Sequence, residues 1–130
     1  MSTARLNEIL KQLNSNGFKA SIFALKDGLP LASQKTENVN EKVVAAMGAM
    51  LADTAERAKV DLDLSDMVSI RIIYEDSCIL CQNIKTTNTS YLLAGIIDRP
   101  ESDDVAKYQS SLMEWAVENA LPVLQKLGSL

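Results

Sequence analysis

The chain has 130 residues, 47% of them apolar and 23% charged, and carries a net charge of −4. That length suits one domain, and a chain of this size buries about two thirds of its unfolded surface, enough for a core without staples. The acidic balance, with no basic cluster, sets aside nucleic acid and anionic lipid as main partners, and the absence of histidine removes every imidazole-based triad and the commonest zinc ligand.

The opening "MSTARLNEILKQL" lacks the unbroken apolar stretch and small-residue cleavage site of a secretory leader. No run approaches the ~18 apolar residues of a membrane span. The expected location is therefore cytoplasmic, without membrane insertion. A first helix takes in Glu8 to Leu13, because Leu6, Ile9, Leu10 and Leu13 recur on one face. "NSNG" ends it, with Gly17 supplying a left-handed turn. "KASIFALKDGLPLASQ" reads as two short strands around a turn at Lys26-Asp27-Gly28. Pro30, in or at the start of the second strand, marks that strand as an edge, where a missing N–H faces solvent.

After the polar link "KTENVN", Asn40 is placed to cap a helix running from Glu41 to about Val60. A second hairpin follows. Val68, Ile70, Ile72 and Tyr74 share one face and Ser69, Arg71 and Ile73 the other, with the turn at Glu75-Asp76-Ser77. Ser90 to Ile97, "SYLLAGII", is apolar on both faces and so belongs in the middle of a sheet. A last helix begins at about Asp104. Its inward stripe is expected at Val105, Tyr108, Leu112, Trp115 and Ala116, and Pro122 should kink or interrupt it. The order predicts an α+β fold: a five-stranded, mainly antiparallel sheet with helices on both faces. One domain spans residues 1–130, with residues 103–127 as a C-terminal helical extension.

No motif supplies an active site. Cys78 and Cys81 form a C-x-x-C inside a predicted strand, where residues three apart point to opposite faces and cannot share an ion. "DLDLSD" lacks the central Gly and distal Glu of a calcium loop, so Asp61, Asp63 and Asp66 read as a solvated linker. There is no glycine-rich phosphate cradle and no nucleophile elbow. Trp115, Tyr108 and Met113 read as core packing rather than a ligand box. No catalytic, cofactor-binding or metal-ligating residue is expected, and the chain is not expected to be an enzyme.

The central helix is the unusual element, because every residue from Val43 to Ala52 is apolar or Gly. Projected at 100° per residue, it carries two stripes. Val43, Met47, Met50 and Thr54, flanked by Leu51 and Ala58, are large enough to fill space over a sheet. Ala45, Gly48, Ala49, Ala52 and Ala55 form a second stripe of small residues, which would let another backbone come close. A loop of the same chain could cover that stripe. A second copy of the helix, packed antiparallel across a two-fold axis, is the more economical cover and implies a homodimer. The second hairpin offers a companion contact: an unblocked edge strand can pair with its own copy, bringing Ser69, Arg71 and Ile73 near the axis. Charge returns to the helix at Asp53, Glu56, Arg57 and Lys59. Glu56, Arg57 and Lys59 are candidates for contact with a further partner.

These segments resemble the roadblock family, the small dimeric domains related to dynein light chains of that name and to bacterial and archaeal regulators of Ras-like GTPases. The likeness rests on "SIFALKDGLPLAS" (Ser21 to Ser33), "VVAAMGAMLADTAERA" (Val43 to Ala58) and "VSIRIIYEDSCILCQNI…SYLLAGII" (Val68 to Ile97). It runs from the first helix through the fifth strand, and the last helix is an extension that some members carry. The resemblance implies dimers made through the second helix and third strand, and a scaffold or regulator that binds a Ras-like small GTPase. A heterodimer with a paralogue stays open. It carries over no catalytic residue; Arg57 as an arginine finger is less expected than Arg57 as a solvated or ion-paired residue. The other reading is a profilin- or PAS-like domain that senses a small molecule, which would need a hollow lined with polar groups. None is evident in the sequence.

Overall fold

Leu6, Ile9, Leu10 and Leu13 are all fully buried, so the first helix is held by one continuous apolar stripe. Burying a side chain of this kind is worth about 1.5–3 kcal/mol relative to leaving it exposed. In the computed structural model, which describes residues 2–35 and 38–128, this helix is α1 (Ser2–Ser15). Gly17 follows at φ 112°, as the turn requires. Strands β1 (Phe18–Leu25) and β2 (Pro30–Lys35) then form a hairpin. Its turn holds Gly28 at φ 97°, and Asp27 Oδ1 accepts a hydrogen bond from the Leu29 amide at 3.1 Å. The polar link predicted to follow includes Thr36 and Glu37, which lie outside the described residues.

Helix α2 (Glu41–Leu62) starts at Asn40, whose side chain accepts from the amides of Lys42 and Val43, and ends with Asp63 in the left-handed conformation at φ 55°. Strands β3 (Ser69–Ile73), β4 (Ser77–Lys85) and β5 (Ser90–Asp98) come next, and α3 (Asp103–Gly128) closes the chain. The strands form one antiparallel sheet in the order β2-β1-β5-β4-β3. The apolar Ser90–Asp98 strand is therefore central, and the strand that begins with Pro30 is an edge, as expected from both.

The main core lies between the sheet and the α1/α3 layer. Phe23, Leu93, Ile97, Cys78 and Leu80 meet the α1 stripe there, together with Met113, Ala116, Ala120 and Leu124 of α3. A smaller core lies under α2 on the other face, from Ile22, Ala24, Val44, Ala45 and Ala94. Cys78 and Cys81 are both buried and free and fall on opposite faces of β4: Cys78 joins the main core, whereas Cys81 lies beneath α2. Burial pushes the Cys81 thiol up to about 11, so it stays protonated at neutral pH.

Two expectations about α3 need correction. Its buried positions are Gln109, Met113, Ala116, Ala120 and Leu124, while Val105 and Tyr108 are exposed and Leu112 and Trp115 only half-buried. The stripe is rotated by one residue, about 100°. Gln109 disguises it. This polar residue is buried because its side-chain amide donates to the Asp98 carbonyl at 3.2 Å, while the Tyr108 hydroxyl turns outward to Asn16 Oδ1 at 2.9 Å. Of the kink or interruption expected at Pro122, the interruption does not occur: the helix is continuous through it to Gly128.

Candidate interaction surface

The two stripes of α2 are only partly placed as expected. Ala45 and Gly48 are buried against the chain's own sheet: a Cβ built on Gly48 would meet Cys81 Sγ at 3.6 Å, Leu92 Cδ1 at 3.8 Å and Ala94 Cβ at 4.0 Å. Small residues are needed there because the helix lies close on the strands. Ala49 is half-buried beside the β1–β2 turn, where a Cβ on Gly28 would stand 3.3 Å from the Ala49 methyl. Ala52 and Ala55 are also half-buried. Of the stripe expected to fill space over the sheet, Val43 is 52% exposed and Met50 70%, with Thr54 exposed beside them, while Met47, Leu51 and Ala58 are half-buried.

Helix α2 packs over β1, β5 and β2. On the same face, β4 and β3 are less covered. Ile70, Ile72 and Ile79 are half-buried, and Val68, just before β3, is 68% exposed. Val43 and Met50 of α2 and Val68 before β3 are thus exposed apolar residues on this side of the molecule. Ser69, Arg71 and Ile73 occupy the other face of β3 and are exposed. Arg71 reaches toward α3 and donates from Nη2 to Ser110 Oγ at 3.2 Å.

As an edge, β3 also offers its backbone. Val68 O accepts from the Asn83 amide at 2.9 Å and the Tyr74 amide donates to Ser77 O at 2.8 Å. In an antiparallel ladder alternate residues turn both backbone groups to the same neighbour. Residues 68, 70, 72 and 74 therefore face β4, and Ser69, Arg71 and Ile73 direct their N–H and C=O groups outward.

The three charged candidates on α2 do not all line one hollow. Arg57 lies on the outer face, where its Nε is 3.3 Å from Asp53 Oδ2. Glu56 and Lys59 instead line a groove of about 620 Å³ between the second half of α2 and one end of the sheet. Ala52 and Asp53 of α2, with Lys26, Asp27, Asp66, Met67, Asn83, Lys85 and Ser90, complete its walls. Contrary to the sequence reading, there is a polar-lined hollow. Asp66, expected in a solvated linker, is fixed at its edge: Lys59 Nζ is 2.6 Å from Oδ1 and Lys85 Nζ 2.7 Å from Oδ2. Those two hydrogen bonds hold the Asp66 carboxyl down at about 2, and the bond to Asp66 raises the Lys59 ammonium above its ordinary value. Nothing local in the sequence marks this cluster, because its members come from α2, the α2–β3 connection and β4.

Among the described residues no group of three or more His, Cys, Asp or Glu side chains could hold a metal ion. Among the described residues no helix is long and apolar enough to cross a membrane.

No protein-family profile matches the chain. An uncharacterized protein of Methanocaldococcus jannaschii is 35% identical over 68 residues, which span 52% of this chain and 58% of that relative's length. Among solved structures, a Roadblock/LC7 domain from Streptomyces avermitilis superposes with a TM-score of 0.77 at 17% identity, over 91% of this chain and 96% of that one. MglB of Myxococcus xanthus gives 0.80 at 12% identity, over 96% and 91%. A profilin from Schizosaccharomyces pombe fits less well, with a TM-score of 0.53 at 15% identity over 91% and 98%. The strand order, the helix on each face and these superpositions agree: the chain has the Roadblock/LC7 fold.

Proposed function

We propose that this protein is a non-enzymatic roadblock-type adaptor, a homodimer that binds a Ras-like small GTPase. The observation that carries the reading is the apolar surface formed by the outer stripe of α2 and the less covered half of the sheet beside the open edge of β3. Large exposed apolar patches on a small soluble domain mark contact surfaces, and this one is bounded by a strand edge that a second copy can extend. With Ala45 and Gly48 taken up by the chain's own sheet, dimerisation uses Val43, Met47, Met50 and Thr54 beside the half-buried Ala49, Ala52 and Ala55, with Ser69, Arg71 and Ile73 beside the axis. Arg57, outside the groove and paired with Asp53, is available to the GTPase as a surface contact. The GTPase part rests on the family resemblance together with the shared fold.

Light scattering at micromolar concentration tests the dimer, and a mass of one chain would sink it. Pull-downs with nucleotide-loaded Ras-like GTPases of the same organism, read beside hydrolysis rates, test the partner. Retention of the GTP state with unchanged hydrolysis identifies an effector or scaffold, accelerated hydrolysis an activating protein, and no retention in any state removes the GTPase. The groove under α2 is the observation that favours a small-molecule sensor instead. A ligand-induced rise in melting temperature, abolished by Lys59→Ala, would select that reading.

A further inference from the structure

The open edge of β3 contains its own register. Only Ser69, Arg71 and Ile73 direct backbone groups outward, because the residues between them are committed to β4. A second copy pairing antiparallel across a two-fold axis can align this short strand in three central ways. Centring on Ile70 lets Ser69 and the partner's Arg71 exchange hydrogen bonds twice, four bonds in all, since each hydrogen-bonded pair exchanges two. Centring on Ile72 joins Arg71 and the partner's Ile73 in the same way, again four. Centring on Arg71 engages all three outward residues: Arg71 meets the partner's Arg71, and Ser69 meets the partner's Ile73 on both sides of the axis. That alignment makes six bonds and leaves no outward group of the strand unpaired.

Two like charges opposite each other on a sheet are unfavourable, and this is the objection to that alignment. The structure answers it. Arg71 is drawn toward its own α3 by the bond to Ser110, and Glu114 lines the same cleft of about 170 Å³. Glu114 has no ion pair of its own among the described residues. Each guanidinium can thus lean away from the axis toward a carboxylate supplied by its own chain. On the opposite face, the same alignment sets Ile70 against the partner's Ile72, continuing the apolar surface across the junction.

We propose that two copies join their sheets with Arg71 on the two-fold axis opposite the partner's Arg71, each guanidinium held aside by Ser110 and Glu114 of its own α3. This rests on the homodimer reading above and adds the register and the role of α3, which supports the seam from behind.

Single cysteines at Ile70, Arg71 and Ile72 test it, because only a residue on the axis faces itself. Directly opposed residues on antiparallel strands have Cα atoms about 4.5–5.5 Å apart, within the range a disulfide spans. The native Cys78 and Cys81 are buried, so the unaltered protein is the background. Under mild oxidation Arg71→Cys should give a covalent dimer, with Ile70→Cys and Ile72→Cys at background. Cross-linking of Ile70→Cys or Ile72→Cys instead would overturn the register while leaving the dimer standing. A dimeric mass with no cross-link at any of the three positions would overturn pairing through β3. A monomeric mass for the unaltered chain would remove the dimer reading itself. The supporting role of α3 is read separately: Glu114→Gln should weaken dimerisation about tenfold at low salt and much less at high salt, and equal affinity at both would overturn it.

Discussion

Gly48 lies directly over Cys81: a Cβ added to the glycine would stand 3.6 Å from the sulfur. That is ordinary contact distance, so one methyl fits and nothing larger does. Gly in a helix interior costs about 1 kcal/mol relative to Ala. Gly48→Ala should therefore raise stability by a few tenths to about 1 kcal/mol, whereas Gly48→Leu should lower it by about 1–3 kcal/mol through overpacking. Urea denaturation of both variants checks the pair. Equal stability for the leucine variant would mean that α2 does not rest on β4 and β5 as described.

The outward stripe gives the opposite expectation. Met50 is largely exposed, so Met50→Glu should leave the fold of the single chain intact. In a dimer the new carboxylate is buried without a partner, and dissociation should become at least about tenfold easier, about 1.4 kcal/mol. Sedimentation across a concentration series reads the change. A native-like dimer would show that the α2 stripe is not the contact.

Asp66 makes stability depend on pH in a defined direction. Its folded value of about 2 lies below the ordinary 3.8, so the folded state favours the carboxylate. The contribution is fully present above the ordinary value and is lost as pH falls through that range toward 2. Asp66→Asn should melt below the unaltered protein at neutral pH, and the gap should close near pH 2. The raised Lys59 adds a term of the other sense, present below its ordinary 10.5 and lost as pH rises beyond it. Because these groups are solvent-exposed, added salt should narrow the neutral-pH gap. A gap that persists unchanged at pH 2 would assign the effect to something other than the ion cluster.

Arg57 is exposed and paired only one helical turn away, with Asp53. If the protein accelerates GTP hydrolysis at all, Arg57→Ala should retain the acceleration within a few-fold. An arginine finger contributes about 10³–10⁵ in rate, so a loss on that scale in a single-turnover assay would give Arg57 a role that its surroundings do not suggest.

What the sequence disclosed follows from the kind of pattern each element carries. The α1 stripe, the Asn40 cap, the Pro30 edge and the two-sided apolar β5 are local signals, and the structure has each where it was read. The stripes of α2 were also found, but Ala45 and Gly48 turned out to face the sheet and Val43 and Met50 the solvent. Periodicity shows that a helix has two faces and not which one meets the sheet. The usual guide, that larger apolar side chains go inward, fails at Gly48, where the backbone lies close on Cys81, although Val44 follows it. On α3 the inward face was misplaced because Gln109 reads as polar until the carbonyl of Asp98 is seen to satisfy it. The groove could not be read at all, since Lys59, Asp66 and Lys85 are neighbours only after folding.

The two rims of the sheet are not equivalent. On the β2 side the strand opens with Pro30, which has no N–H to offer, and its pairing with β1 is irregular between Phe23 and Ala24. Such features blunt a rim against strand addition, whereas β3 pairs with β4 without a register shift and turns the backbone groups of Ser69, Arg71 and Ile73 outward. Addition through β3 consumes the one receptive rim of each participant and creates no new one. Growth of that kind terminates itself after a single step, and a molecule built this way is protected from fibril formation by its own asymmetry.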